Sequence, residues 1–182
     1  MSSSLLAWLV AYTLFLIYAA ANTSGFLFID HANLIFHEFG HVLFGWAGYH
    51  TRILGGTIGQ LLVTAACTAA FVHRREPTGV AFCAFWFFQN FLYIATYMAD
   101  ARTSALPLVG SDESDWTILF THWGVLQHDR AIAAWVRGLG WLGMIGSVVW
   151  LVWRLTTPRR PAAAAVPASR ADRGTGRDPR AR

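Results

Sequence analysis

Apolar residues fall in five long runs: Leu5–Ala21, Phe26–Gly48, Ile53–Val72, Thr78–Ala99 and Ile132–Leu155. Each is close to the roughly 20 residues a helix needs to cross the hydrocarbon core of a bilayer. The pattern predicts an all-α fold, an integral membrane bundle of about five transmembrane helices. The second and fifth runs contain ionisable residues. The first ends in Ala19-Ala20-Ala21, which looks like a signal-peptide cleavage site. Met1–Ser4 carries no basic side chain, however, and the run is longer than a signal core, so it is read as a retained helix. Between Arg102 and Arg130, Pro107 and Gly110 break any long helix, while Trp116–Phe120 and Trp123–Leu126 are too apolar for a plain loop. A short interfacial helix is expected there. From Thr156 the chain is rich in Pro, Ala and Arg and lacks the apolar surface to fold. The chain thus divides into a membrane core, 1–155, and a disordered tail, 156–182.

Composition strengthens the membrane reading. Hydrophobic residues make up 55% of the 182 and charged residues 13%, whereas a soluble domain carries about a quarter charged. Nine Trp and thirteen Phe suit interfacial anchoring. The net charge of +4 is unevenly placed. Eight of the fourteen Arg lie from Arg154 onward against only Asp172 and Asp178, leaving +6 in the tail; six Arg against eight acids leave −2 before it. A basic tail beside an acidic core points to anionic lipid and not to nucleic acid. Arg74 and Arg75 after the third run, and Arg154, Arg159 and Arg160 after the fifth, predict that both ends are cytoplasmic. Five alternating spans would then place the N-terminus outside. The absence of lysine among abundant Ala and Arg suggests a GC-rich bacterial genome, and the arginine placement then predicts an inner-membrane protein with a cytoplasmic C-terminus. Cys67 and Cys83 sit in apolar runs without Cys-x-x-Cys spacing and read as buried thiols.

The second run carries the chemistry. It contains His37-Glu38-Phe39-Gly40-His41. Residues four apart share a helix face, so both imidazoles can address one ion. Zinc lowers the pKa of a coordinated water toward about 7, and Glu38 stands where a carboxylate can take its proton. Every ionisable side chain in a membrane helix is costly, by about 2.5 kcal/mol or more for a central acid, so three within five positions need a shared purpose. Metal binding supplies it. Asp30 and Asn33 lie on the same stripe, either as hydrogen-bond partners of the imidazoles or, for Asp30, as a helix cap. His31 is off the stripe and is expected at the interface.

A catalytic zinc usually has three protein ligands. In the fourth run Gln89, Tyr93, Thr96 and Asp100 share one face, and Asp100 is the only carboxylate among them. Asp100 is therefore the expected third metal ligand, although straight helices would leave it on the order of 10 Å from the histidines. Asp115 is the second candidate, with His122 and His128 also able to fold inward from the same segment.

These residues resemble the site-2 protease class of intramembrane zinc metallopeptidases. That class has His-Glu-x-x-His in one membrane helix, matched by His37, Glu38 and His41, and an aspartate ligand in a later one, matched by Asn90 and Asp100, with Ala101-Arg102 where glycines are expected. Gly55-Gly56-Thr57-Ile58-Gly59-Gln60 loosely occupies the place of an intervening Gly-Pro-x-x-Asn helix start. The resemblance covers Asp30 to about Arg102, a minimal core. It implies one zinc ion, Glu38 as the catalytic base, and peptide-bond hydrolysis in or near the lipid bilayer on a membrane-protein or peptide substrate. A non-proteolytic metal-binding membrane scaffold, or a zinc hydrolase acting on a lipid or small amide, would use the same ligands. Glu38 favours an enzyme, because a structural site needs ligands but no base.

Overall fold

The computed structural model describes residues 3–108 and 113–157. Of the expected tail 156–182, residues 158–182 lie outside the described residues. Six α-helices follow in order: α1 Ser3–Ala21, α2 Asp30–Leu43, α3 Tyr49–His73, α4 Pro77–Ala99, α5 Asp115–His122 and α6 Asp129–Thr156, with a single 3₁₀ turn, Leu126–His128, before α6. Among the described residues there is no strand. All five apolar runs are helical, and the short helix expected between Arg102 and Arg130 is α5.

Four of these helices, α1, α3, α4 and the α6 unit, are long and apolar enough to cross a membrane. The exception is α2. Its 14 residues reach about 21 Å at 1.5 Å per residue, short of the roughly 30 Å hydrocarbon thickness. Local chemistry trims the run at both ends. Before the helix, the Asn22 side chain accepts the Gly25 N–H at 2.8 Å, closing a polar turn. After it, Gly48 adopts φ +92°, a backbone state that L side chains avoid, and the chain turns directly into α3.

Ring contacts define the relative direction of the helices. Trp8 packs on Phe82, and Tyr12 and Phe15 pack on Phe85, so α1 runs parallel to α4. The Arg74–Glu76 turn makes α3 and α4 antiparallel, with Ile53, Ile94 and Met98 in one buried cluster. Gly140 lies against Phe88, Phe91 and Leu92, while Arg137 donates to the Thr96 hydroxyl at 3.2 Å; α6 is therefore antiparallel to α4. The start of α1, the α3–α4 turn and the end of α6 share one end of the bundle. This bears out the grouping of the Arg74–Arg75 turn with the end of the last helix. It corrects the N-terminus, which falls on that same side. A second helix too short to span removes one crossing and reverses the parity of everything before it.

The bundle is apolar outside and polar inside. Leu6, Val10, Leu14 and Ile17 of α1 and Leu139, Leu142, Ile145 and Val149 of α6 are exposed, whereas Asp30, Asn33, Gln60, Thr64, Gln89, Asn90 and Asp129 are almost wholly buried. Water would penalise that surface; hydrocarbon selects it.

Candidate metal centre

The site begins with glycine. A Cβ on Gly40 would collide with the Gly55 carbonyl, and one on Gly59 would lie 2.6 Å from the Gly40 Cα. Only bare backbone at these positions lets α2 lie directly on the first turns of α3. Gly56 then sits beneath both imidazoles: a Cβ there would be 2.6 Å from His37 Nε2 and from His41 Cε1. The floor of the site is thus a hydrogen atom.

Helical spacing brings His37 and His41 together with ring centroids 4.7 Å apart. Their Nε2 atoms converge on a single oxygen, Asp115 Oδ2, at 2.9 Å and 3.1 Å. Asp115 opens α5, and α5 is anchored beside it by Trp116, Leu119 and Phe120, all buried. The Trp116 ring packs on Phe120 at 5.2 Å and on Trp123 at 6.5 Å, and the Thr117 hydroxyl donates to the Ala101 carbonyl at 2.5 Å. Burial alone would raise the Asp115 carboxyl; His37 and His41, which donate to it and carry charge when protonated, draw it down to about 2.

The fit to a metal ion rests on donor chemistry. His41 Nδ1 lies 2.9 Å from the Arg52 carbonyl, which can only accept. Nδ1 therefore carries hydrogen, and in the neutral ring Nε2 presents a lone pair to a carboxylate. A cation between them, or protonation of the ring, resolves that opposition. Two imidazole nitrogens and one carboxylate oxygen are a donor set of catalytic zinc sites. Tetrahedral bonds of about 2.0–2.1 Å place neighbouring donor atoms roughly 3.3 Å apart, close to the separations here. The two rings are held differently: the Arg52 carbonyl orients His41, while His37 Nδ1 is buried without a hydrogen-bond partner among the described residues. Glu38 also has a carboxylate oxygen within 4.8 Å of one ring nitrogen of each histidine, so that His37, Glu38 and His41 form a metal-capable group of their own, but among the described residues it makes no ion pair with either ring, as Asp115 does.

Asp100, the expected third ligand, is not brought to the histidines. It caps the end of α4. One carboxylate oxygen accepts from the Thr103 hydroxyl and from the Ala105 N–H at 3.1 Å, the other from the Leu106 N–H at 2.9 Å. Partial burial opposes its charge, but these three donors hold the carboxyl below its ordinary range. Its place is taken by Asp115, the second candidate. His122 stacks on His50 with centroids 3.6 Å apart, and neither it nor His128 joins the group. His31 Nδ1 is 3.0 Å from the Phe28 carbonyl, on the exposed side.

Asp30 and Asn33 likewise do not orient the imidazoles. Asp30 Oδ1 accepts from Asn33 at 2.8 Å and Gln89 at 2.7 Å, and Oδ2 accepts the Leu27 N–H at 2.7 Å. Asn33 also donates to Gln89 Oε1 and accepts from the Trp86 indole, both at 2.8 Å. The network holds the start of α2 through the Leu27 N–H and ties it to the middle of α4.

A cavity of ≈ 260 Å³ opens over His37, Glu38, His41 and Asp115, walled by Ile53, Ile94 and Trp116, with Tyr93, Tyr97 and Gln60 along its side. Two contributors had little or no signal in the sequence: the Arg52 main-chain carbonyl and the Gly56 floor. A carbonyl is present at every residue, and Gly56 stood out only as part of a glycine-rich helix start.

No protein-family model, curated protein or solved structure matches the chain.

Proposed function

We propose that the chain is an intramembrane zinc metallopeptidase of a bacterial inner membrane, with the arginine-rich end of the bundle, and so the C-terminus, in the cytoplasm. The observation that carries the reading is the convergence of His37 Nε2 and His41 Nε2 on Asp115 Oδ2, with an acid left over beside them.

His37, His41 and Asp115 would hold one zinc ion. When bound, the ion supplies Lewis acidity toward a carbonyl oxygen and lowers the pKa of water toward about 7. Glu38, on the same turn of α2 as His37, accepts the proton from the attacking water and returns it to the departing amine. Arg52 keeps the His41 ring turned so that Nε2 faces the ion. Ile53, Ile94 and Trp116 exclude bulk water, which strengthens each charge interaction inside. Gly56 is seven residues into α3, about 10 Å along its axis, so the scissile bond would lie below the membrane surface opposite the arginine-rich end.

The test is Glu38→Gln. This variant keeps size and insertion while removing the base. Zinc content should stay at about one per chain, and turnover of membrane-protein substrates should fall by roughly 10²–10⁴-fold. A zinc-loaded Glu38→Gln protein that complements every phenotype of a deletion strain would replace the enzyme with a metal-binding scaffold.

A further inference from the structure

The opposite end of the bundle holds a second cavity, unrelated to the metal centre. It is a groove of ≈ 510 Å³ between the α3–α4 turn and the last turns of α6, lined by Val72, Arg75, Pro77, Val80, Trp150 and Arg154. Trp150 and Arg154 are four residues apart and share one face of α6. Arg75 comes from across the groove, in a turn where its backbone takes φ +58°, a state uncommon for a long side chain. Among the described residues, neither guanidinium has an ion-pair partner: the ion pairs present are His37–Asp115, His41–Asp115 and Arg102–Asp129. The acid nearest in sequence, Glu76, is exposed and pairs with neither arginine.

We infer that this groove binds the headgroup of an anionic phospholipid, with Arg75 and Arg154 on the phosphate and Val72, Val80 and Trp150 against the glycerol and upper acyl chain. Two unpaired guanidiniums flanking one space favour a phosphate oxyanion. The apolar walls select its source: a free phosphate would leave Val72, Val80 and Trp150 against water, whereas a lipid covers them. The position agrees, because helix ends that leave the membrane on the basic side are where polar headgroups lie.

Full-length protein in mixed-lipid nanodiscs, phosphatidylglycerol against phosphatidylcholine, would be assayed by native mass spectrometry for retained lipid. Wild type should prefer the anionic lipid on the order of tenfold, the effect of two interfacial arginines. Arg75→Gln/Arg154→Gln should lose that preference. Arg137→Gln, at the other end of α6, should keep it. The inference is overturned if wild type shows no preference, if the double variant retains it, or if Arg137→Gln abolishes it equally, which would make it an effect of net charge. Retention of added inorganic phosphate without lipid preference would make the groove a soluble-anion site and sink the lipid assignment.

Discussion

Two polar clusters lie on α2, one helical turn apart, and they are built differently. In the first, Asp30, Asn33, Gln89, Trp86 and the Leu27 N–H satisfy one another: each donor finds an acceptor within 2.8 Å. In the second, two imidazoles crowd one carboxylate oxygen, His37 Nδ1 has no partner, and the buried amide of Gln60 at the cavity side is unpaired at both its oxygen and its nitrogen. Both clusters carry the cost of polar atoms in an apolar bundle. The closed cluster recovers that cost within itself and holds the fold. The open one leaves those atoms without a partner among the described residues. Unpaired polar atoms are not confined to this cluster, since Tyr12, Asn90 and Asp129 each leave one buried oxygen without a partner, but here they lie beside two convergent imidazoles.

The sharpest way to break this distinction is to remove Asp115. Asp115→Ala should lower zinc affinity by more than about 100-fold, beyond the loss typical of an outer partner, read as metal content after dialysis. Asp100→Ala, cutting the loop cap instead, should keep the metal and cost about 1 kcal/mol. The opposite pattern would return the ligand role to Asp100. Next comes the closed cluster. Asp30→Ala leaves the Gln89 amide and the Leu27 N–H unpaired and should destabilise the protein by about 3 kcal/mol, seen as a lower unfolding temperature in detergent, while zinc stoichiometry in the folded fraction is unchanged. A loss of metal without loss of stability would mean that Asp30 serves the site. The smallest effect is expected at Gln60. Gln60→Leu removes two unpaired polar atoms and should change stability by less than about 1 kcal/mol; a large loss would show the amide to be satisfied and the cluster less open than described.

Much of this arrangement was legible in the chain. Apolar runs located every helix, because a bilayer imposes length and composition together. His37, Glu38 and His41 were legible because an i, i+4 spacing is geometry within one helix. The carboxylate that meets both histidines was not, since no spacing rule joins α2 to a residue more than seventy positions away. Asp100 shared a polar face with Gln89, and that face does look inward, but at Gln89 it meets Asp30 and Asn33 and not the histidines. The length of α2 was also hidden. Nothing apolar ends at Leu43; the stop comes from the turn with the positive φ of Gly48, and from the Asn22–Gly25 turn at the other end. That one shortened helix then reversed the side assigned to the N-terminus.

The seating of α2 on bare glycine backbone near the start of α3 also acts as a ruler. Because Gly40, Gly55 and Gly59 leave no clearance, α2 cannot slide along α3, and the histidine pair stays about 10 Å along α3 from its start. In the peptidase proposed above, a substrate helix entering from that end of α3 would meet the histidine pair six or seven residues in, at roughly 1.5 Å each. Choice of the scissile bond would then depend on how far a residue lies from the membrane boundary, so that lengthening a substrate's juxtamembrane segment would move the cut along its sequence while leaving its position in the bilayer unchanged.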